Sequence, residues 1–206
     1  MKIAVISDIH GHLSNLAECL GNIRERSVSN IVCLGDVLNE DRETNRLMML
    51  TFRKYKIRGV LGNHDLAWLA DAGIIPWKDM AVSEETYSFF SRFPIRAKYR
   101  NLMFTHICPS YSRERTGGGE KPDISDSLNC VKHSGYHICF VGHVHKPLIA
   151  DDSGLNISPL PDHVAEISNK RKYIINPGAL GVPKKPTRYG IIDMEKQNFI
   201  SVVLNK

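Results

Sequence analysis

Asp8 and His10 stand two apart in the stretch "SDIHGH", and His143 and His145 stand two apart in "GHVH". Residues i and i+2 of extended backbone point the same way, so each pair can present two ligand atoms on one side of the chain. Three further turns carry similar side chains: Asp36 in "LGDV", Asn63, His64 and Asp65 in "LGNHD", and His106 in "FTH". Carboxylate, imidazole and amide oxygen suit borderline divalent ions such as manganese, iron, nickel or zinc. Without thiolate ligands, a structural zinc site is disfavoured. Each residue has an ordinary alternative. An aspartate after a strand often caps a helix, a histidine there is often a satisfied structural group, and Asn63 could simply form a turn. Five such turns in succession, each closing an apolar run, argue against five unrelated coincidences.

These turns carry enough potential ligands for two ions: Asp8, His10, Asp36, Asn63, His64, His106, His143 and His145. Two dications about 3.5–4 Å apart form an arrangement used for phosphoryl chemistry. Bare, they would repel by roughly 4–5 kcal/mol even at the dielectric of water. A bridging carboxylate is therefore required, and a bridging hydroxide helps. Two aspartates and one hydroxide leave a residual positive charge, which favours an anionic phosphoester over a neutral substrate.

The elements that must position these residues follow from periodicity. "KIAVIS", "NIVCLG" and "KIRGVLG" are short apolar runs that read as buried strands. Between the first two, Leu13, Leu16, Ala17, Leu20 and Ile23 recur at helical spacing, predicting a helix over 13–26. Leu47, Met48 and Leu50 place a second helix at about 43–54. Ser83 before Glu84 and Glu85 reads as an N-cap for a helix reaching Arg92. "NLMFTH" and "YHICFVGH" are further strands, separated by a polar insert from Pro109 to Gly135. Beyond Pro147, "PLIAD", "KYIIN", "RYGIID" and "NFISVVLN" read as strands without helices. Strand–helix alternation predicts a parallel sheet whose carboxyl edge gathers the ligands. With no linker or repeat, residues 1–206 are expected to form one domain.

Composition narrows the class. The hydrophobic fraction is 42%, the charged fraction 24% and the net charge +5. These values suit a globular protein and give no reason to expect nucleic-acid binding. No apolar run reaches the ~20 residues of a membrane helix, and five cysteines without CxxC pairs suggest reduced thiols. A cytoplasmic protein with no membrane partner is expected.

In order, "DIH", "GDV", "GNHD", "TH" and "GHVH" resemble the calcineurin-like metallophosphoesterase superfamily, closest to its small bacterial and archaeal phosphodiesterase branch. The late "INPGALGVP" is similar to a turn of that branch, so the likeness spans Met1 to about Asp193. The resemblance implies an α/β fold, a four-layer α/β/β/α sandwich of two mixed β-sheets flanked by helices. It implies one ion on Asp8, His10, Asp36 and His145, with Asp36 bridging to a second ion on Asn63, His106 and His143. His64 would face the substrate as general acid. Apart from the resemblance, Asp65 directly follows His64 and is expected to orient its ring, as carboxylates often do for catalytic histidines. Manganese heads the expected ions, ahead of iron, nickel and zinc.

The expected activity is hydrolysis of a small phosphoester through a metal-bound hydroxide, with a diester ahead of a monoester. One departure bears on this. Protein phosphatases and diadenosine tetraphosphatases of the superfamily carry an arginine-containing "GDxVDRG" block, whereas this chain reads "GDVLNEDRE". A nuclease is a second reading, weakened by the lack of a dense basic or aromatic stripe. A non-catalytic scaffold, as in a retromer subunit, is a third, and the full ligand set argues against it. Arg113, Arg115, Lys146 and Lys184 are candidate phosphate contacts, and a homo-oligomer is left open.

Overall fold

The computed structural model describes residues 1–71, 74–107, 124–183 and 185–204. Strand β1 (Lys2–Ile6) is buried along all but its first residue, as expected of a strand covered on both faces. It pairs in parallel with β2 (Asn30–Cys33), which pairs in parallel with β3 (Arg58–Gly59). On its other side β1 meets β11 (Arg188–Asp193) antiparallel, followed by β12 (Asn198–Val203) and β9 (Val164–Glu166). The first sheet thus runs β3-β2-β1-β11-β12-β9.

The second sheet runs β4-β5-β6-β10-β7-β8. Its strands are β4 (Arg96–Tyr99), β5 (Leu102–Thr105), β6 (Ile138–Val141), β10 (Tyr173–Asn176), β7 (Leu148–Asp151) and β8 (Asn156–Ile157). β5, β6 and β10 are mutually parallel, so their carboxyl ends share one edge. The ligand-bearing strands are therefore divided between two sheets, not gathered in the one parallel sheet that strand–helix alternation predicts. The two-sheet sandwich implied by the resemblance is the architecture found.

Helices complete the layers. α1 (Leu13–Glu25) buries Leu16, Cys19, Leu20 and Ile23 at helical spacing. α2 (Arg42–Tyr55) starts at Asp41, whose carboxylate accepts from the Thr44 amide at 2.7 Å. It ends at Lys56 in the left-handed conformation. Its buried stripe is Met48, Met49 and Phe52, with Leu47 and Leu50 exposed. The apolar positions taken as the signal for this helix thus include two on its outer face. α3 (Asn63–Ala70) and α4 (Glu84–Phe90) follow, with Ser83 capping α4 as expected.

The residues of these helices pack with Ala4, Ile6, Ile31 and Cys33 on the outer face of the first sheet. Ile3, Val5, Phe104 and Phe140 fill the space between the sheets. α5 (Ile124–Lys132) covers the outer face of the second sheet, where Val131 packs on Cys139 and Ile174. That helix lies within what the sequence suggests is a polar insert. Most of the rest of the insert, with Arg113, Arg115 and also Lys184, lies outside the described residues. Each large apolar side chain buried here contributes roughly 1.5–3 kcal/mol.

Candidate metal centre

Every ligand-bearing turn follows the carboxyl end of a strand. Asp8 and His10 follow β1, Asp36 follows β2, and Asn63 opens α3 just beyond β3. His106 follows β5, and His143 and His145 follow β6. Sheet order makes β1, β2 and β3 neighbours in one layer and β5 and β6 neighbours in the other. The shared edge of the sandwich collects all five turns.

The backbone is not extended there. Asp8, His10, Asp36, His143 and His145 all have positive φ, between 46° and 68°. This corrects the strand-like geometry inferred from i, i+2 spacing. In each pair both side chains come from left-handed residues separated by one other residue. Such conformations cost a non-glycine residue on the order of 1 kcal/mol or more, and persist where surrounding bonds enforce them. Those bonds are present. The amides of Asp8, Ile9 and His10 donate to the carbonyls of Gly35, Asp36 and Asp36 at 3.0, 2.8 and 2.9 Å. The Gly142 amide donates to His106 O at 3.0 Å.

The side chains form two groups sharing one member. Asp8, His10, Asp36 and His145 lie together, as do Asp36, His106 and His143. Asp36 Oδ2 stands 3.1 Å from His106 Nε2 and 3.9 Å from His10 Nε2, so one oxygen faces both groups. Asp36 Oδ1 accepts from the His64 amide at the start of α3, at 3.0 Å. Asn63 Oδ1 lies 3.1 Å from His106 Nε2 and 3.0 Å from His143 Nδ1, so the amide oxygen joins the second group. All seven ligands implied by the resemblance are thus brought together.

The arrangement fits divalent cations. Asp8 is fully buried, and its Oδ2 has no hydrogen-bond partner. A buried carboxylate oxygen left unpaired is costly unless a cation meets it. His10 Nε2 and His145 Nε2 face each other at 3.3 Å, close enough for one ion to take both. Burial holds the His10 and His143 imidazoles below their ordinary pKa, favouring the neutral form that ligates a metal. Burial would lower His106 too, but the Asp36 carboxylate raises it to about 9. Burial would raise Asp36, yet His106 and the other imidazoles hold it at about 2. An incoming cation therefore competes with a proton shared by this pair. His106 Nδ1 lies 2.8 Å from the Leu34 carbonyl, which leaves Nε2 toward the site.

Asp65 has a different place from the one expected. Its carboxylate does not orient the His64 ring but accepts four backbone amides, from Gly62, Asp36, Val37 and Leu38, at 2.8–3.0 Å. It pins the Asp36 turn to the start of α3. Burial and the neighbouring Asp36 charge push its pKa up to about 6, against the pull of the amides. Gly62 is required beside it, because a Cβ there would land on the Asp36 carboxylate. His64 is exposed, and its ring packs edge-on against His10 at 5.1 Å between centroids.

Asp65→Asn would turn an NH2 group toward two of these amides. A loss of about 2–4 kcal/mol in stability is expected, with metal affinity about 10–100-fold weaker. Thermal melts and metal titration would check both. Unchanged metal affinity in the folded variant would confine Asp65 to folding.

One contributor had only its turn recognised from sequence. β10 delivers "NPGALGVP" to the same edge. Asn176 Nδ2 donates to Gly142 O at 2.7 Å, and the amides of Leu180 and Gly181 donate to Ser7 O and Asp8 O at 3.0 and 2.8 Å. This turn clamps the Asp8 and His143 loops together. An apolar run ending in Asn-Pro-Gly after a strand was the available signal.

A family model described as the calcineurin-like phosphoesterase superfamily domain matches residues 1–197. The chain belongs to this superfamily. An uncharacterised protein of Methanocaldococcus jannaschii is 29% identical over 98% of this chain and 86% of its own length. A metallophosphoesterase from Sphaerobacter thermophilus superposes with a TM-score of 0.82 at 24% identity, covering 100% of this chain and 88% of that one. A structure described as a novel archaeal phosphodiesterase gives a TM-score of 0.58 at 17% identity, covering 99% of this chain and 100% of that one. As a calcineurin-like phosphoesterase, the chain has the superfamily's two mixed sheets flanked by helices. The superfamily uses divalent metal ions, and the Asp and His clusters described above are placed to hold them. Among the described residues, no helix is long and apolar enough to cross a membrane.

Proposed function

We propose that this calcineurin-like phosphoesterase is a two-metal phosphodiesterase acting on a small phosphodiester. The observation that carries the reading is the sharing of Asp36 between two ligand groups, with one of its oxygens facing both. Asp8, His10, Asp36 and His145 would hold one ion; Asp36, Asn63, His106 and His143 would hold the other, with manganese the first candidate. When bound, such ions supply Lewis acidity to a phosphoryl oxygen and lower the pKa of a water.

The chain's own residues do the rest. Asp8 and Asp36 bring two negative charges against four positive, so a phosphate anion is drawn to the edge. His10 and His145 are only about a fifth to a quarter exposed, at 21% and 27%, and frame its approach. His64 stands beside them, exposed and uncommitted to the ligand groups, where it can donate a proton to the departing oxygen. Asp65, Asn176 and the α3 amide of His64 hold the ligand turns fixed, so little reorganisation is left to the reaction.

The ester class is read from the arginine beside the "GDV" turn. Arg42, the arginine nearest the "GDV" turn, donates to the carbonyls of Trp77 and Met80, the latter at 3.4 Å, and is tied into the fold. That arginine therefore offers no guanidinium fork to a dianionic monoester head, and a diester with one negative charge is the reading it supports. The structural likeness to an archaeal protein described as a phosphodiesterase agrees with this. With saturating manganese, bis(p-nitrophenyl) phosphate is expected to give a clearly higher kcat/KM than p-nitrophenyl phosphate. The reverse order would move the protein to the monoesterase class.

A further inference from the structure

A cleft opens where edge strands β3 and β4 flank the layer between the two sheets. Between β2 and β3 of one and β4 and β5 of the other lies a cavity of about 440 Å³. Its floor is apolar, made by Ile3, Val32, Ala97 and Phe104. Its rim carries Lys56, Arg58 and the ring of Tyr99. No aspartate or glutamate lines it among the described residues.

The register explains how a cation reaches this interior. Arg58 sits opposite Val32 in the β2–β3 ladder, and Val32 packs into the layer between the sheets. Side chains opposite one another share a face, so Arg58 projects toward the second sheet. Across the gap, Ala97 sits opposite Phe104, and both belong to the same inter-sheet layer. Tyr99, two residues on, shares their face. Charged residues pointing inward on edge strands also guard against sheet-to-sheet pairing. A guard needs the charge but not the cavity. The cleft is open to solvent, and 440 Å³ lies within the range of small-molecule sites.

We propose that this cavity is a second binding site, for a small organic anion with an apolar body and a single carboxylate or phosphate head. The apolar body, a flat ring or short acyl chain, lies on Val32, Ala97 and Phe104 and against Tyr99. The head meets the guanidinium of Arg58, with Lys56 adding charge. The site is separate from the metal edge. Arg58 and Asn63 are five residues apart on one strand and its continuation, on the order of 15 Å. Occupancy therefore does not require the ligand to reach the reacting centre.

The probe is 8-anilinonaphthalene-1-sulfonate, titrated by fluorescence into the zinc-loaded full chain. Saturable 1:1 binding is expected, with amide shifts at Gly59 and Ala97. Arg58→Glu and Lys56→Glu are each expected to weaken it at least tenfold, about 1.4 kcal/mol, while hydrolysis of bis(p-nitrophenyl) phosphate stays unchanged. Both positions are exposed, so the variants should fold; a cooperative melt verifies this. Ala97→Trp, filling the cavity, should abolish binding. Competition by 1-naphthoate and by adenosine 5′-monophosphate then separates a carboxylate head from a phosphate head. The proposal fails if no probe binds, if binding ignores the charge reversals, or if inorganic phosphate displaces the probe while Arg58→Glu does not.

Discussion

Asp36→Asn is expected to empty both metal positions and to lower kcat/KM on bis(p-nitrophenyl) phosphate by at least about 10³-fold, roughly 4 kcal/mol of transition-state stabilisation. The amide oxygen of asparagine can still accept from the His64 amide, so the turn should persist. What is lost is the charge on the one oxygen that faces both ligand groups. Two dications are then no longer screened from each other. His10→Ala should weaken mainly one position, because His10 belongs to only one group. Metal analysis of the purified variants reads both effects, and two tightly held ions in Asp36→Asn would end the bridging role.

The same substitution has a pH signature in metal-free protein. Asp36 is held at about 2, so its contribution to stability is present above its unfolded pKa and lost as pH falls toward 2. His106 is raised to about 9, so its contribution is present below its unfolded pKa and lost as pH rises through 9. Wild type should therefore exceed Asp36→Asn in thermal stability most between about pH 4 and 6.5, with the gap closing toward pH 9. Melts in chelator across that range test it.

His64→Gln should retain both metals yet divide substrates by leaving group. His64 is exposed, stands against His10, and contributes its backbone amide to Asp36, which glutamine also supplies. Proton donation to a leaving oxygen is worth about 10²–10⁴-fold where the leaving group is an alkoxide. p-Nitrophenolate departs with little help. Activity on nitrophenyl esters should fall only a few-fold, and that on alkyl or nucleoside esters far more. An equal loss on all esters would make His64 a binding residue, and loss of metal would make it a ligand.

The sequence alone determined the residue types and their order along the chain. Short apolar runs dictate strands because nothing else buries so few residues on both faces, and a turn must follow each. The helical stripe of α1 was legible for the same local reason, with Leu16, Leu20 and Ile23 one face of a 3.6-residue repeat. Tertiary structure decided what depends on partners far away in the chain. Alternation of strand and helix does not say that β5 and β6 lie in a second sheet, because that follows from long-range pairing and from the apolar layer between the sheets. Nor could spacing reveal that the paired ligands are left-handed residues, a conformation that holds only because bonds from other turns enforce it. Asp65 beside His64 looked like an orienting carboxylate, yet α3 turns it inward, where four amides satisfy it better than an exposed ring. In α2, Leu47 and Leu50 were as apolar as Met48, and only the docked helix decided which of them face the core. The basic cavity is of the same kind: Arg58 and Tyr99 are unremarkable edge residues until the two sheets place them around one space.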